Sequence, residues 1–168
     1  MAPRTILILL TTMLTGCATL VSCDDKAGAM VEPVKIKNTW FHLEIAANDA
    51  VRIKGLGDRD YIAPDGGMIF AFPTAHVMNF VMRDCLVPID IAFLDAAGRV
   101  VAIHEMTVEE PQRDGESDND YEARLTLYSS RFPAVFAVET AGGVMKPLGL
   151  KEGDKIDFDA RKLKRLAR

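Results

Sequence analysis

The apolar residues of this chain change their spacing several times, and the changes mark its elements. Over residues 34–46, Ile36, Phe41, Leu43 and Ile45 punctuate polar Lys35, Lys37, His42 and Glu44, the two-residue period of a strand with one buried face. Asn48 or Asp49 can cap a short helix that runs through Lys54 and ends at Gly55. Residues 56–66 read as an irregular connection, with Pro64-Asp65-Gly66-Gly67 as turn chemistry. A β-rich stretch follows. Residues 68–72 form one predicted strand, stopped by Pro73, and residues 77–82 a second. Residues 89–94 and 100–106 form a hairpin around Asp95-Ala96-Ala97-Gly98, where Gly98 supplies the left-handed conformation. Residues 108–122 hold seven acids in fifteen positions and read as a flexible loop. Further short strands are predicted over 125–129, 134–140 and 155–158, with a short helix over 144–148 between the last two. No internal repeat appears. The sum is a β-rich α+β domain of about seven strands with one or two short helices, closed as a small barrel or compact sandwich.

The amino terminus has a different pattern. A basic start, Met1 to Arg4, precedes an apolar run containing Ile6, Leu7, Ile8, Leu9, Leu10, Met13 and Leu14, the arrangement of a secretory signal. Leu14-Thr15-Gly16-Cys17 then resembles the lipobox of bacterial lipoproteins, with an aliphatic residue, two small ones and a cysteine to be alkylated by diacylglycerol. Leu20-Val21-Ser22-Cys23 fits the same pattern and is followed by Asp24 and Asp25. Cys17 leaves an apolar run of ordinary length, whereas Cys23 has the sharper polar stop. Residues 5–22 are also just long enough for an uncleaved helical anchor, and a simple cleaved signal is the other alternative. The expected organisation is a lipoprotein-type signal over 1–23, a linker over 24–34, the domain over 35–159 and a basic tail over 160–168. The expected location is the cell envelope or periplasm, with the membrane engaged through an amino-terminal lipid.

Charge narrows the partners. The net charge is −4, which argues against a nucleic-acid partner. The last eight residues carry Arg161, Lys162, Lys164, Arg165 and Arg168 and no acid. Such an end reads as solvated and frayed, or as a contact for anionic lipid headgroups. Setting those five and Arg4 aside leaves 14 basic residues against 24 acids. No cofactor fingerprint is present: there is no P-loop, no dinucleotide motif and no G-x-S-x-G elbow. His104-Glu105 is half of a zinc-protease motif, but Val108 stands where the second His belongs. Asp114, Glu116, Asp118 and Asp120 lack the order of a calcium loop, so no metal is expected. A lone Cys85 reads as a small buried apolar residue, or as a disulfide partner if Cys23 survives maturation.

The body resembles a bacterial and archaeal family known as domain of unknown function 192. Arg52-Ile53-Lys54-Gly55-Leu56 with Arg59 is similar to its R-x-x-G-L motif, and Gly67-Met68-Ile69-Phe70-Ala71-Phe72 to its G-M-L-F-x-F strand. The stretch from Phe80-Val81-Met82-Arg83-Asp84-Cys85 through Pro88-Ile89-Asp90 to Asp95 resembles its longest signature, F-W-M-K-N-T-x-I-P-L-D-I-x-F-x-D. Tyr128-Ser129, Val138-Glu139 and Gly149-Leu150-Lys151-Glu152-Gly153-Asp154 complete the likeness. The resemblance implies a small β-rich, barrel-like fold, exported or lipid-anchored in many members, and it implies no activity. Two departures bear on a site: the signature's Trp is Val81 here, and its Lys-Asn-Thr run is Arg83-Asp84-Cys85.

The candidate ligand-binding residues are therefore Arg83, Asp84 and Asp90, with Arg52 and Glu139 as further charged groups. An Asp90 that pointed inward would need a partner, since a buried unpaired carboxylate is costly, and Arg83 or Arg52 would serve. The expected function is a non-catalytic envelope module that binds a small ligand or another envelope protein. The alternatives are an enzyme acting on a cell-wall or sugar-like substrate through Asp84, Asp90 or Glu139, and a purely structural accessory. Two carboxyls facing each other across a cleft would favour the enzyme.

Overall fold

The computed structural model describes residues 30–168, so the expected signal segment, with Cys17 and Cys23, lies outside the described residues. Eight strands and three short helices give a β-rich α+β fold. The expected single strand over 34–46 is instead a hairpin of β1 (Val31–Ile36) and β2 (Thr39–Ala46). Lys37 takes a left-handed φ of 54° between them. The buried positions explain the turn: they fall on even numbers before it (Val34, Ile36) and odd numbers after it (Phe41, Leu43, Ile45). β1 also claims residues 31–34 from the expected linker.

Helix α1 (Asp49–Lys54) forms as predicted. Asn48 accepts from the Val51 N–H at its start, and the Gly55 N–H bonds Val51 O at its end. Strand β3 (Met68–His76) continues past Pro73, which sits in an irregular stretch where the pairing register shifts between Ala71 and His76. Only Asn79–Phe80 of the expected second strand pairs, as β4. The hairpin of β5 (Ile89–Leu94) and β6 (Val100–Met106) stands as read, with Gly98 at φ 79° and Asp95 Oδ1 accepting from the Ala97 and Arg99 N–H groups.

The acidic stretch contains α2 (Asp118–Arg124), which corrects the expectation of a loop. Ser117 caps it, and Tyr121 and Leu125, one turn apart, are both buried. β7 (Tyr128–Ser129) is shorter than expected, and β8 (Ala134–Ala141) is one residue longer. Residues 144–148 form turns, not a helix, and residues 155–157 make isolated bridges, not a strand. The basic end is not frayed. It forms α3 (Ala160–Leu166), capped by Asp159 and anchored by fully buried Leu163.

Six strands make one mixed sheet in the order β1-β2-β3-β8-β5-β6, parallel only between β2 and β3, while β4 and β7 form a second, two-stranded sheet. Among the described residues no barrel closed by strand ladders is formed. The two edges of the large sheet nevertheless share one segment: Lys35 of β1 exchanges backbone bonds with Asp157, and Val100 of β6 bonds Gly153 and Asp154. Apolar side chains fill both faces. Val138, Phe136, Ala92 and Leu94 pack with Leu163, Met145 and Ile156 on one side. Met68, Phe70, Ile91, Phe93 and Ala137 pack with Leu56, Ile62, Met78 and Met82 on the other.

One contact sets the approach of β3 to β8. Gly67 has φ 136°, and a Cβ there would lie 2.0 Å from the carbonyl oxygen of Glu139. Gly67→Ala forces two paired backbones apart, and it should cost about 2–4 kcal/mol. The check is the shift of the urea midpoint; an unchanged midpoint would mean that the strands yield freely here.

Candidate functional site

A cavity of about 280 Å³ opens beside α1, on the face of the large sheet that carries Phe70 and Glu139. Its walls come from four places in the sequence. Helix α1 and its end contribute Ile53 and Leu56, β3 contributes Phe70 and Phe72, the β4 region contributes Phe80, Val81 and Cys85, and β8 contributes Glu139. Phe80 is the hub of an edge-to-face aromatic group, with ring centroids 5.0 Å from Phe70, 5.3 Å from Phe93 and 6.4 Å from Phe72. Glycines let backbone form the rim: Gly55 ends α1 at φ 51°, a conformation that disfavours side chains.

Glu139 is the unusual member. It sits within β8, between Val138 and Thr140, and is only 5% exposed. Its register partners, Met68 and Ile91, place it on the face with Phe70. Among the described residues its carboxyl makes no hydrogen bond and no ion pair, and only the field of Arg59 reaches it. Burial pushes this carboxyl up to about 8, against the opposing pull of Arg59, so at neutral pH it is largely protonated. Cys85 also lines the cavity, with Sγ 3.4 Å from Arg83 O. Burial, reinforced by Glu139, raises its thiol to about 12, which leaves it a neutral thiol and not a nucleophile.

The other charges around the cavity are matched. Arg52 donates to Ala71 O at 2.7 Å, to Asp49 Oδ1 at 2.6 Å and to the backbone oxygen of Arg168 at 2.7 Å, and it covers the face of Phe72 at 4.9 Å. Arg83 grips Glu122 of α2 with two nitrogens, the second at 2.7 Å, and this bond holds its guanidinium above its ordinary range. Lys54 pairs with Asp58. Arg59 makes a two-pronged pair with Glu44 at 2.5 and 2.8 Å, which likewise raises it.

The five residues read from the sequence do not form one cluster. Arg52, Arg83 and Glu139 meet at the cavity. Asp84 lies beside it in a smaller depression with Ala50, Ile53 and Arg83. Asp84 takes φ 53°, a left-handed conformation that Asn and Asp adopt more readily than most residues, which accounts for an Asn in the resembled signature. The Tyr121 hydroxyl accepts from its N–H at 3.2 Å. Asp90 is elsewhere. It lies on the opposite face of β5, and its partners are neither Arg83 nor Arg52 but the N–H groups of Gly143 at 3.0 Å and Met145 at 2.8 Å. It therefore fixes the turn after β8. His104 likewise bonds Ser129 O, at 2.8 Å, and packs on Phe93 and Tyr128. No group of three or more His, Cys, Asp or Glu side chains suited to a metal ion occurs among the described residues.

Sequence reasoning missed the aromatic wall and Glu122. Phe70, Phe72 and Phe80 alternate like core residues, and Glu122 was hidden in the acidic stretch. The signal for Glu139 was present as an acid inside an otherwise apolar run from Ala134 to Ala141.

Two solved structures share this architecture. One, from Sinorhizobium meliloti 1021 and described as a proposed transcription regulator, is 26% identical, covers 80% of this chain and 98% of its own, and has a TM-score of 0.67. The other, a protein of unknown function from Novosphingobium aromaticivorans DSM 12444, is also 26% identical, covers 88% of this chain and 99% of its own, and has a TM-score of 0.66. No curated protein matches the sequence. The model of the DUF192 family (Uncharacterized ACR) matches residues 32–158, a span holding every cavity residue above, and the chain belongs to that family.

Proposed function

We propose that this protein is a non-catalytic binding module of the cell envelope, tethered by lipid on Cys17 or Cys23, that takes a small ligand into the cavity at Glu139. The observation that carries the reading is Glu139 itself. An acid this deeply buried, facing a cavity with no hydrogen-bond partner, is a polar group waiting for one. Apolar walls with a single convergent polar group are the usual make-up of a small-molecule site. The edges shared through residues 153–157 support reading the frame as barrel-like, which would keep the walls fixed.

The enzyme alternative has less support. Its two-carboxyl arrangement needs a second acid facing Glu139, but Asp90 is on the other face and Asp49 is bonded to Arg52. A nucleic-acid role, suggested by the description of the Sinorhizobium protein, also has less. The net charge is −4, and many of the cations outside α3, among them Arg52, Arg59, Arg83, Arg124 and Arg131, are paired with carboxylates.

For the tether, the geometry near the chain's entry gives support. Glu32, two residues after Met30, binds the Asp159 N–H and the Lys162 ammonium, so α3 lies beside the point where the amino-terminal segment joins the domain. Arg161, Lys164 and Arg165 are exposed on the side of α3 away from buried Leu163, a basic face suited to anionic headgroups.

Three outcomes follow. Mass spectrometry of the protein from its native membrane should give a mature amino terminus at Cys17 or Cys23 carrying diacylglycerol; an unmodified start at Met1 would end the tether reading. In a fragment screen read by amide chemical shifts, hits should cluster on α1, β3 and β4. Val81→Trp, which places the resembled signature's Trp in the wall, should abolish them while leaving the fold intact; hits that survive it would place the site elsewhere.

The third outcome concerns pH. Glu139 has a folded pKa above its unfolded value of 4.5, so folding favours its protonated form. Its cost is absent below about pH 4.5 and grows as pH rises toward 8. At about 1.4 kcal/mol per unit, the loss is on the order of 5 kcal/mol. Glu139→Gln should remove it, so variant and wild type should diverge in urea stability between pH 4.5 and 8.5 with the variant the more stable. Parallel curves would show that the carboxyl finds a partner on ionising.

A further inference from the structure

We infer that the cavity's ligand carries an organic cation, a primary or secondary amine, seated on the Glu139 carboxyl with its apolar part between Ile53, Phe70 and Phe80. This rests on the binding reading above and adds the chemical class of the ligand.

The charges around the cavity do not balance at Glu139. Four other charged residues line the cavity: Asp49, Arg52, Lys54 and Arg83. Asp49 and Arg52 bond each other, Lys54 pairs with Asp58, and Arg83 is held by Glu122. Glu139 alone lacks a counterpart within bonding distance. What the site is missing is therefore a hydrogen-bond donor with positive charge. An anionic ligand would bring a second acceptor to a wall whose basic groups are already engaged.

A neutral alcohol or amide would give a protonated Glu139 one ordinary hydrogen bond. An amine can instead be met by the ionised carboxylate, and charge-assisted bonds are roughly twice as strong as neutral ones. Sequestered from water, that pair gains further. No protein group need move to create it, because the carboxyl already faces the cavity.

The wall also suits a cation. Phe70 and Phe80 offer aromatic surface to an ammonium group, an attraction worth about 0.5–2 kcal/mol. Phe72 is not available for this, since Arg52 already covers it. The volume of about 280 Å³ lies just below the usual range of small-molecule sites, roughly 300–1,000 Å³, so the ligand is a compact one. Val81 lines this wall with a small side chain.

The test uses three matched probes on the full chain at pH 7: benzylamine, benzyl alcohol and benzoate, titrated by amide chemical shift and by calorimetry in phosphate and in Tris. Benzylamine should bind at least about tenfold more tightly than benzyl alcohol, shift the amides of α1 and β4, and release up to about one proton as Glu139 ionises, seen as a buffer-dependent heat. Glu139→Gln should reduce benzylamine to the level of benzyl alcohol. Equal binding of the alcohol or of benzoate, amine binding that survives Glu139→Gln, or no binding of any probe would each overturn the cation. The failure of the wider reading looks different. If neutral fragments occupy the cavity while amines do not, only the ligand class is wrong; if no fragment of any charge enters, the site itself is.

Discussion

Strand β8 gives both of its edges away, to β3 from Met68 to Ala71 and to β5 from Ile89 to Leu94, and its residues from Ala134 to Thr140 are all buried. A strand paired on both sides and covered on both faces has no freedom to slip. A one-residue shift would exchange Val138 for Glu139 across the sheet and break both cores at once. Every neighbour takes its position from this strand. Gly67 permits β3 to come against the Glu139 carbonyl, the β2–β3 crossover then carries α1 over the sheet, and the turn after β8 is pinned to β5 through Asp90. The cavity is what remains where α1 and β4 fail to meet over the Glu139 side of that sheet.

The ion pairs around the cavity set geometry more than stability. Arg83 and Glu122 are each more than a third exposed, and exposed pairs typically contribute about 0.2–1 kcal/mol. Their effect is to join pieces that have little else in common. Arg83–Glu122 ties the turn after β4 to α2, and Tyr121 on the same helix braces the left-handed Asp84 beside it. Arg52 has a side chain that is only 7% exposed, and it links α1, β3 and the end of the chain at Arg168. The rim is thus assembled from fixed charges that leave none over for Glu139.

Much of this was legible in the sequence where the cause was local. The β5–β6 hairpin could be read because Asp95 and Gly98 build their own turn. α1 could be read because Asn48 and Gly55 bracket it. The β1–β2 turn was legible too, in the slip of buried positions from even to odd numbers, but the alternation was followed across it. Helix α2 was obscured by its acids. Seven charges outweighed Tyr121 and Leu125, although a Ser117 cap and two apolar residues one turn apart suffice for a short helix. Asp90 was grouped with Arg83 and Asp84 because it is near them in sequence, whereas strand parity sends it to the far face. Which acid stands alone depends on partners distant in sequence, such as Glu122, and no single-sequence pattern supplies those.

The two buried acids of the central sheet differ sharply in how their burial is met. Asp90 and Glu139 are 1% and 5% exposed, on strands that pair directly, one on each face. Asp90 has both oxygens bonded by backbone N–H groups, so its burial is compensated within the fold and it needs nothing further. Glu139 is nearly as deep, opens onto the cavity and has no such bonds. Core packing does not require an acid there, because its register neighbours Met68 and Ile91 are apolar and Ala137, two residues earlier on the same face, is too. A polar residue that weakens its own strand without a partner marks the place where local rules give way to function. Here that place is also where the molecule leaves an apolar-walled space.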